Sequence, residues 1–375
     1  MKTILISPDK FKGSLTAKQV CEAVAAGIHK YDAQIECLFH PLADGGEGTL
    51  DALEDTLNLQ SISLEVNDPL FRPVEAGYRL TTDTAFVEMS QASGLQLLAE
   101  SERNCMDTTT FGTGELIHDA IKHGARQIYL FVGGSATNDA GLGMASALGY
   151  RFINKSGEDI KPIGREMSEV FSIDDTNLKV DLNKIEFTVV CDVKNPFYGP
   201  NGAAHAYGAQ KGASPEDIDF LDQGLVNIHE VVLKKYDLDL SKIEGAGAAG
   251  GIAGGAVAFL GANVLSGIHS VMKITNYKSK LKLADFIITG EGKLDYQTVQ
   301  GKVVDGVYDL ARQYDKRVAI VCGIAEDREE IMSKIDAPVY QIKTPDISVN
   351  EAISNAYALL IDRSYQLMSD LLGEK

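Results

Sequence analysis

Five segments of this 375-residue chain place glycine, carboxylates and sometimes lysine directly after a short apolar run. They read ILISPDKFKGS (4–14), PLADGGEGT (41–49), YLFVGGSATND (129–139), FTVVCDVKNP (187–196) and FIITGEGKLDYQT (286–298). Glycine lets backbone N–H groups approach phosphate oxygens, and carboxylates hold a divalent cation. One such loop means little. Five in one chain point to an enzyme acting on phosphates.

Each loop has a bland alternative. In PLADGGEGT, Asp44 and Glu47 lie three apart among Gly45, Gly46 and Gly48, a spacing suited to holding Mg²⁺ or orienting a substrate hydroxyl. The alternative is a glycine turn with Glu47 near a helix N-terminus, where the dipole favours a carboxylate. In GGSATND, backbone N–H groups of Gly134 and Ser135 suit phosphate and Asp139 suits metal, unless Asn138 or Asp139 merely caps a helix. TGEGKLD offers Glu291, Lys293 and Asp295, the alternation expected where metal meets phosphate and equally that of an exposed charged turn. CDVKNP puts Asp192 at a strand end, and Lys10 and Lys12 flank Phe11 in the first loop, where solvated lysines are the plain reading.

Other chemistries find no support. No stretch matches G-x-x-x-x-G-K-S/T, no serine sits in a G-x-S-x-G elbow, and the seven histidines form no H-E-x-x-H. A G-x-G-x-x-G at Gly245, Gly247 and Gly250 follows KIE rather than an apolar strand, so it is a weak dinucleotide signal. The formal charge of −18 repels nucleic acid and anionic membranes, yet a few lysines in a cleft still attract a small anion. Five scattered cysteines without a C-x-x-C pair suggest a reduced, cytoplasmic protein, and the apolar run of MKTILISPDK is too short for a signal peptide. Residues 246–268 carry no charge, but seven are glycine, which favours a glycine-rich loop and tightly packed buried helix over a membrane span.

The elements around these loops follow an α/β pattern. A strand over Thr3–Ser7 precedes a helix capped by Ser14 or Thr16, with Val20, Ala23, Val24 and Gly27 inward. A strand over Ile35–Phe39 leads into PLADGGEGT, with a helix expected from Thr49 to Leu57. From Asp68-Pro69 the pattern changes: ISLEVND, VEAGYRL and TAFVEMS read as antiparallel strands. Mixed structure resumes with a helix over Glu115–His123, a strand over Gln127–Val132 and a helix near Gly143–Leu148. After Ala284, FIITG, RVAIVCG and PVYQIKT read as strands, Val303–Tyr314 and Arg328–Lys334 as helices. Asn350–Leu372 reads as one long amphipathic helix with Ile353, Ala356, Leu360, Tyr365 and Met368 near one stripe. The expected organisation is an α/β protein of two domains: a doubly wound domain from both termini, 1–68 with 283–375, and an inserted mixed α/β domain over 69–282. Ligands of open α/β sheets bind outside the carboxyl ends of strands, so the loops are expected to face a cleft between the domains.

The chain resembles the bacterial-type glycerate kinases nearly end to end. The resemblance is carried by PDKFKGSLTA, PLADGGEGTLDAL, EMSQASGLQLL, TTTFGTGELI, VGGSATNDAGLGMASALG, CDVKNPFYGPNGAAHAYGAQKGA, GAGAAGGIAGGAVAFLGA and ADFIITGEGKLDYQT. It departs at Lys10, where the family commonly has Ser, at GAQKGA for GPQKGA, and at SGIH where PGID is frequent. The resemblance implies ATP- and Mg²⁺-dependent phosphorylation of D-glycerate, usually on the 2-hydroxyl, and a flavodoxin-like terminal domain. On that basis Asp44, Glu47, Glu291 and Asp295 are the expected Mg²⁺ ligands. Lys12 and Lys293 offset charge on the transferred group, and Asp192 or Asp44 acts as base. Gly133, Gly134, Ser135, Asn138 and Asp139 would hold phosphate, and Lys211, Arg72 and Ser14 the glycerate. The expected partners are that substrate and ATP, with no nucleic acid and no membrane; a homodimer stays open. The rival readings are a 3-phosphoglycerate-forming enzyme, a kinase of another small hydroxy acid, and a non-catalytic nucleotide-binding protein.

Overall fold

The computed structural model describes residues 2–43, Thr49, Leu57, 59–296, 298–299, 301–326 and 328–373. The chain divides into two units, Met1–Thr56 with Ser266–Lys375, and Leu57–Leu265. The strands run in chain order β1 (Thr3–Ile6), β2 (Glu36–Phe39), β3 (Gln60–Asn67), β4 (Pro73–Leu80), β5 (Thr84–Glu88), β6 (Gln127–Phe131), β7 (Arg151–Ile153) and β8 (Ser172–Asp174). They continue with β9 (Glu186–Val190), β10 (Asn263–Leu265), β11 (Phe286–Leu294), β12 (Arg317–Ala325) and β13 (Val339–Gln341).

Among the described residues, the terminal unit holds one sheet in the order β13-β12-β11-β1-β2, with every neighbouring pair parallel. Renumbered within the unit this is 2-1-3-4-5, an order whose ligands bind beyond the carboxyl ends of the strands near the reversal, here β1 and β11. Side chains alternate across a strand. Ile4 and Ile6 of β1 therefore join Val20, Val24, Leu360 and Met368 in one buried cluster, under the helices Ala17–Tyr31 and Ala356–Leu372. On β11 and β12 the helix Val303–Gln313 packs through its buried Val303, Val304 and Val307. Thr16 caps the first helix, with the Gln19 N–H donating to its hydroxyl.

The second unit holds a six-stranded sheet, β10-β9-β6-β5-β4-β3. Its β3, β4 and β5 pair antiparallel, whereas β5, β6, β9 and β10 run parallel. The first boundary falls at 56/57 rather than 68/69 because β3 pairs along its whole length with β4. The second falls at 265/266 rather than 282/283 because β10 closes this sheet against β9.

One further expectation is corrected. The C-terminal helix is interrupted at Asn355, giving Val349–Ser354 and Ala356–Leu372. Ala356, Leu360 and Met368 are buried as expected, but Ile353 and Tyr365 are exposed. The uncharged stretch 246–268 is, as expected, a glycine-rich turn followed by a buried helix. Ala249, Gly250 and Gly251 take positive φ, a buried helix ends at Leu260, and β10 follows. No helix among the described residues is long and apolar enough to cross a membrane. The helix expected from Thr49 to Leu57 lies largely outside the described residues.

Candidate active site

In the terminal unit the chain continues along β11 after leaving β1. Asp9 N–H donates to the Gly290 carbonyl at 2.8 Å, while Ser7 N–H donates to that of Ile288. The Ser7 hydroxyl shares a hydrogen bond with the buried Tyr277 hydroxyl, and the Thr289 hydroxyl donates to the Ser7 carbonyl. Phe11, buried, then closes a tight loop against Leu15. These ties aim Asp9–Ser14 over the end of β11.

A cavity of about 510 Å³ opens there. Lys12, Ser14, Glu291, Lys293 and Asp295, drawn from loops nearly 280 residues apart, all line it. Asp9, Lys302 and Lys343 line it too and were not singled out from the sequence. Asp9 lies inside a quoted loop, and Lys343 follows β13, so the rule of reading strand ends would have found both.

Glu291 is only 6% exposed. The Thr298 hydroxyl donates to it at 2.5 Å, and Thr298 also closes the turn that carries Asp295. Burial pushes its carboxyl up to about 7. The Thr298 bond and Lys302 pull it down, while Asp9 and Asp295 add to the rise. Lys293 is half exposed and pairs with Glu326 at 2.8 Å and Asp295 at 3.7 Å; the Glu326 bond holds its ammonium above the ordinary value.

No group of three or more His, Cys, Asp or Glu side chains among the described residues is placed to cage a metal. Mg²⁺ bound with a nucleotide needs one or two protein carboxylates, phosphate oxygens and water. The oxygen donors Glu291 and Asp295 fit that demand. Asp44 and Glu47 lie outside the described residues.

The second unit gathers the other expected residues differently. Gly133, Gly134 and Ser135 follow β6 and Asp192 follows β9, and these parallel strands pair to Phe131 and Val190, so all four share one carboxyl edge. Gly134 takes φ +73°, and Asp192 is exposed. Asp139 turns inward. It is fully buried and accepts from Thr110 N–H, the Thr110 hydroxyl, Gly141 N–H and Gly143 N–H at 2.8 to 3.2 Å. That geometry ties two loops together and leaves no face for metal or phosphate. Asn138 is buried as well, with neither amide atom hydrogen-bonded among the described residues.

Lys211 is likewise internal, 2% exposed, donating to the Ser135 hydroxyl at 2.6 Å and the Thr137 carbonyl at 2.7 Å. Burial lowers its ammonium to about 8. It braces the GGSATND loop rather than presenting charge to a substrate. Arg72 is engaged by Asp68 at 2.6 Å and Glu102 at 2.7 Å, so its guanidinium serves the turn between β3 and β4.

The sequence profile of the Glycerate kinase family matches residues 4–372. The chain belongs to that family. It is an enzyme of the same kind as relatives found across bacteria. A Halalkalibacterium halodurans protein named glycerate kinase is 40% identical, covering 96% of each chain. Escherichia coli glycerate 2-kinase is 38% identical over 94% of each. A solved structure of a candidate glycerate kinase 2 from Salmonella typhimurium LT2 superposes with a TM-score of 0.84 at 36% identity. That match covers 99% of this chain and 98% of the other.

The Glu291 environment has a thermodynamic consequence. Its folded-state pKa lies above the ordinary 4.5, so the folded protein holds this proton more tightly than the unfolded chain. Stability from this group is therefore present at low pH and lost as pH rises toward 7. Relative to Glu291→Gln, the wild type should lose on the order of 2–3 kcal/mol between about pH 5 and about pH 8 in urea unfolding. A difference that does not change with pH would contradict the assigned environment.

Proposed function

We propose that this protein transfers the γ-phosphoryl group of ATP to D-glycerate, forming ADP and 2-phosphoglycerate. The terminal unit is read as flavodoxin-like from its strand order. The observation that carries the proposal is one cavity, at the carboxyl ends of β1 and β11, where lysines from two distant loops stand beside carboxylates. Within a family of glycerate kinases, that is the pairing phosphoryl transfer requires.

The reaction asks a protein mainly for positioning and for neutralising charge on the transferred group. Lys12 and Lys293 are assigned to that charge, and Lys293 is held in place by Glu326. Ser14 is assigned to a substrate oxygen. Glu291 and Asp295 would hold Mg²⁺. Such an ion would supply neutralisation of the negative charge on the phosphate oxygens. A buried carboxyl near neutrality is suited to this, because it is partly protonated near pH 7 without a cation and ionises when positive charge arrives. The hydroxyl proton is assigned to a carboxylate of the terminal unit, Asp44. A cytoplasmic location is part of the proposal, supported by five cysteines that form no disulfide among the described residues.

ADP release measured with D-glycerate, ATP and Mg²⁺ should be glycerate-dependent, and added enolase should consume the product directly. No glycerate-dependent ADP would refute the proposal, and a product refractory to enolase would refute the 2-hydroxyl assignment. Lys293→Met should lower kcat on the order of 10²-fold or more if its charge meets the transition state. A near-wild-type kcat would remove Lys293 from the mechanism.

A further inference from the structure

The same cavity has a second character that the transfer chemistry does not use. Most of its charge comes from the β1 loop and β11, with Lys302 and Lys343 added, whereas its aliphatic side chains are Ile324 of β12, Ile342 after β13, and Val349, Ala352 and Ile353 of the following helix. Because the sheet order is β13-β12-β11-β1, these aliphatic residues lie on the side of the cavity away from the β1 loop that carries Lys12. Between them the floor includes Gly292 and Gly323. A Cβ at Gly323 would run into the Gly292 carbonyl oxygen, and one at Gly292 would lie 3.0 Å from the Lys12 nitrogen. The floor at these two positions is therefore bare backbone.

We propose that this apolar side seats the base of the nucleoside triphosphate, with its phosphates directed toward Lys12 and Lys293. The proposal rests on the kinase reading above and assigns it a nucleoside site in the terminal unit. It does not use the GGSATND loop, to which sequence reasoning gave the phosphates.

Three observations carry it. A three-carbon hydroxy acid bears an oxygen on every carbon, and packing it on aliphatic side chains would strand hydroxyls without partners. A planar heterocycle has apolar faces to bury there. The volume of about 510 Å³ suits a ligand of nucleotide size and is generous for glycerate alone. Finally, Val349 and Ile353 stand one helical turn apart on the cavity side, 52% and 42% exposed. Ile353 lies off the buried stripe because the chain breaks at Asn355. A flat ligand anionic at one end matches this division in both shape and charge.

The test is titration of the full chain with a fluorescent ADP analogue, competed with inorganic tripolyphosphate, for the wild type and for Val349→Ser/Ile353→Ser. Both residues are exposed, and an unchanged melting temperature establishes that the variant folds. The expected result is an ADP affinity lower by on the order of tenfold or more with tripolyphosphate affinity unchanged, as loss of apolar contacts to the base alone requires. KM for ATP should rise while KM for glycerate holds. Unchanged ADP affinity, or equal weakening of ADP and tripolyphosphate, would overturn the assignment. The single variant Ile353→Ser, expected to show a smaller shift in the same direction, repeats the test should the double variant melt early. Glycerate turnover by the wild type decides the kinase reading separately. A protein that binds ADP through this wall but leaves glycerate untouched refutes that reading and not the site.

Discussion

The terminal-unit site depends on one backbone approach. The loop Phe11–Lys12 crosses Gly292 so closely that a Cβ there would sit 3.0 Å from the Lys12 nitrogen and 3.1 Å from the Phe11 α-carbon. Real Cβ contacts are rarely this tight, so a side chain here would push the first loop off the extension of β11 by a few tenths of an ångström or more. Phe11 is buried and anchors the loop, and Asp9 N–H continues the ladder onto Gly290. From that contact follows the meeting of Lys12 with Glu291, Lys293 and Asp295. Register does the rest: β11 pairs with β12 as far as Leu294 and Ala325, which brings Gly323 and Ile324 alongside.

Electrostatics in this unit are local. A net charge of −18 would repel an anionic substrate at long range, but charges beyond about 10 Å are screened at physiological salt. Within the cavity the lysines dominate what a phosphate meets. Glu291 stays compatible with that because burial keeps its carboxyl partly neutral near pH 7. In the second unit the same residue types are spent on architecture. Asp139 and Lys211 are buried and satisfied by Thr110, Ser135 and Thr137, and truncating either would leave buried partners unpaired.

Much of this was legible in the sequence, for physical reasons. Short β-branched runs ending in glycine and acid mark parallel strands whose loops lie at the carboxyl edge, and the Thr16 cap is readable from its capping box. What the sequence hides is which way a loop side chain turns. Asp139 looks like a ligand until Thr110, 29 positions earlier, is known to donate to it twice. Lys211 reads as a free cation because its acceptors lie more than 70 positions away. Arg72 is read as available until Glu102 comes beside it. Ile353 fits a helical stripe on paper, and the break at Asn355 removes it. The unit boundaries shift for the same reason, since strand pairing decides them and pairing is non-local.

The proposed phosphoryl-transfer site needs the first loop held against β11. Gly292 is partly exposed, so Gly292→Val can be accommodated only by moving the loop it supports. The decisive measurement is glycerate-dependent ADP formation by that variant, with its melting temperature recorded alongside. Turnover should fall on the order of 10²-fold, since misplacement by about 1 Å at a reacting centre costs that much, in a protein that still folds. A folded variant with wild-type turnover would contradict this placement of the site.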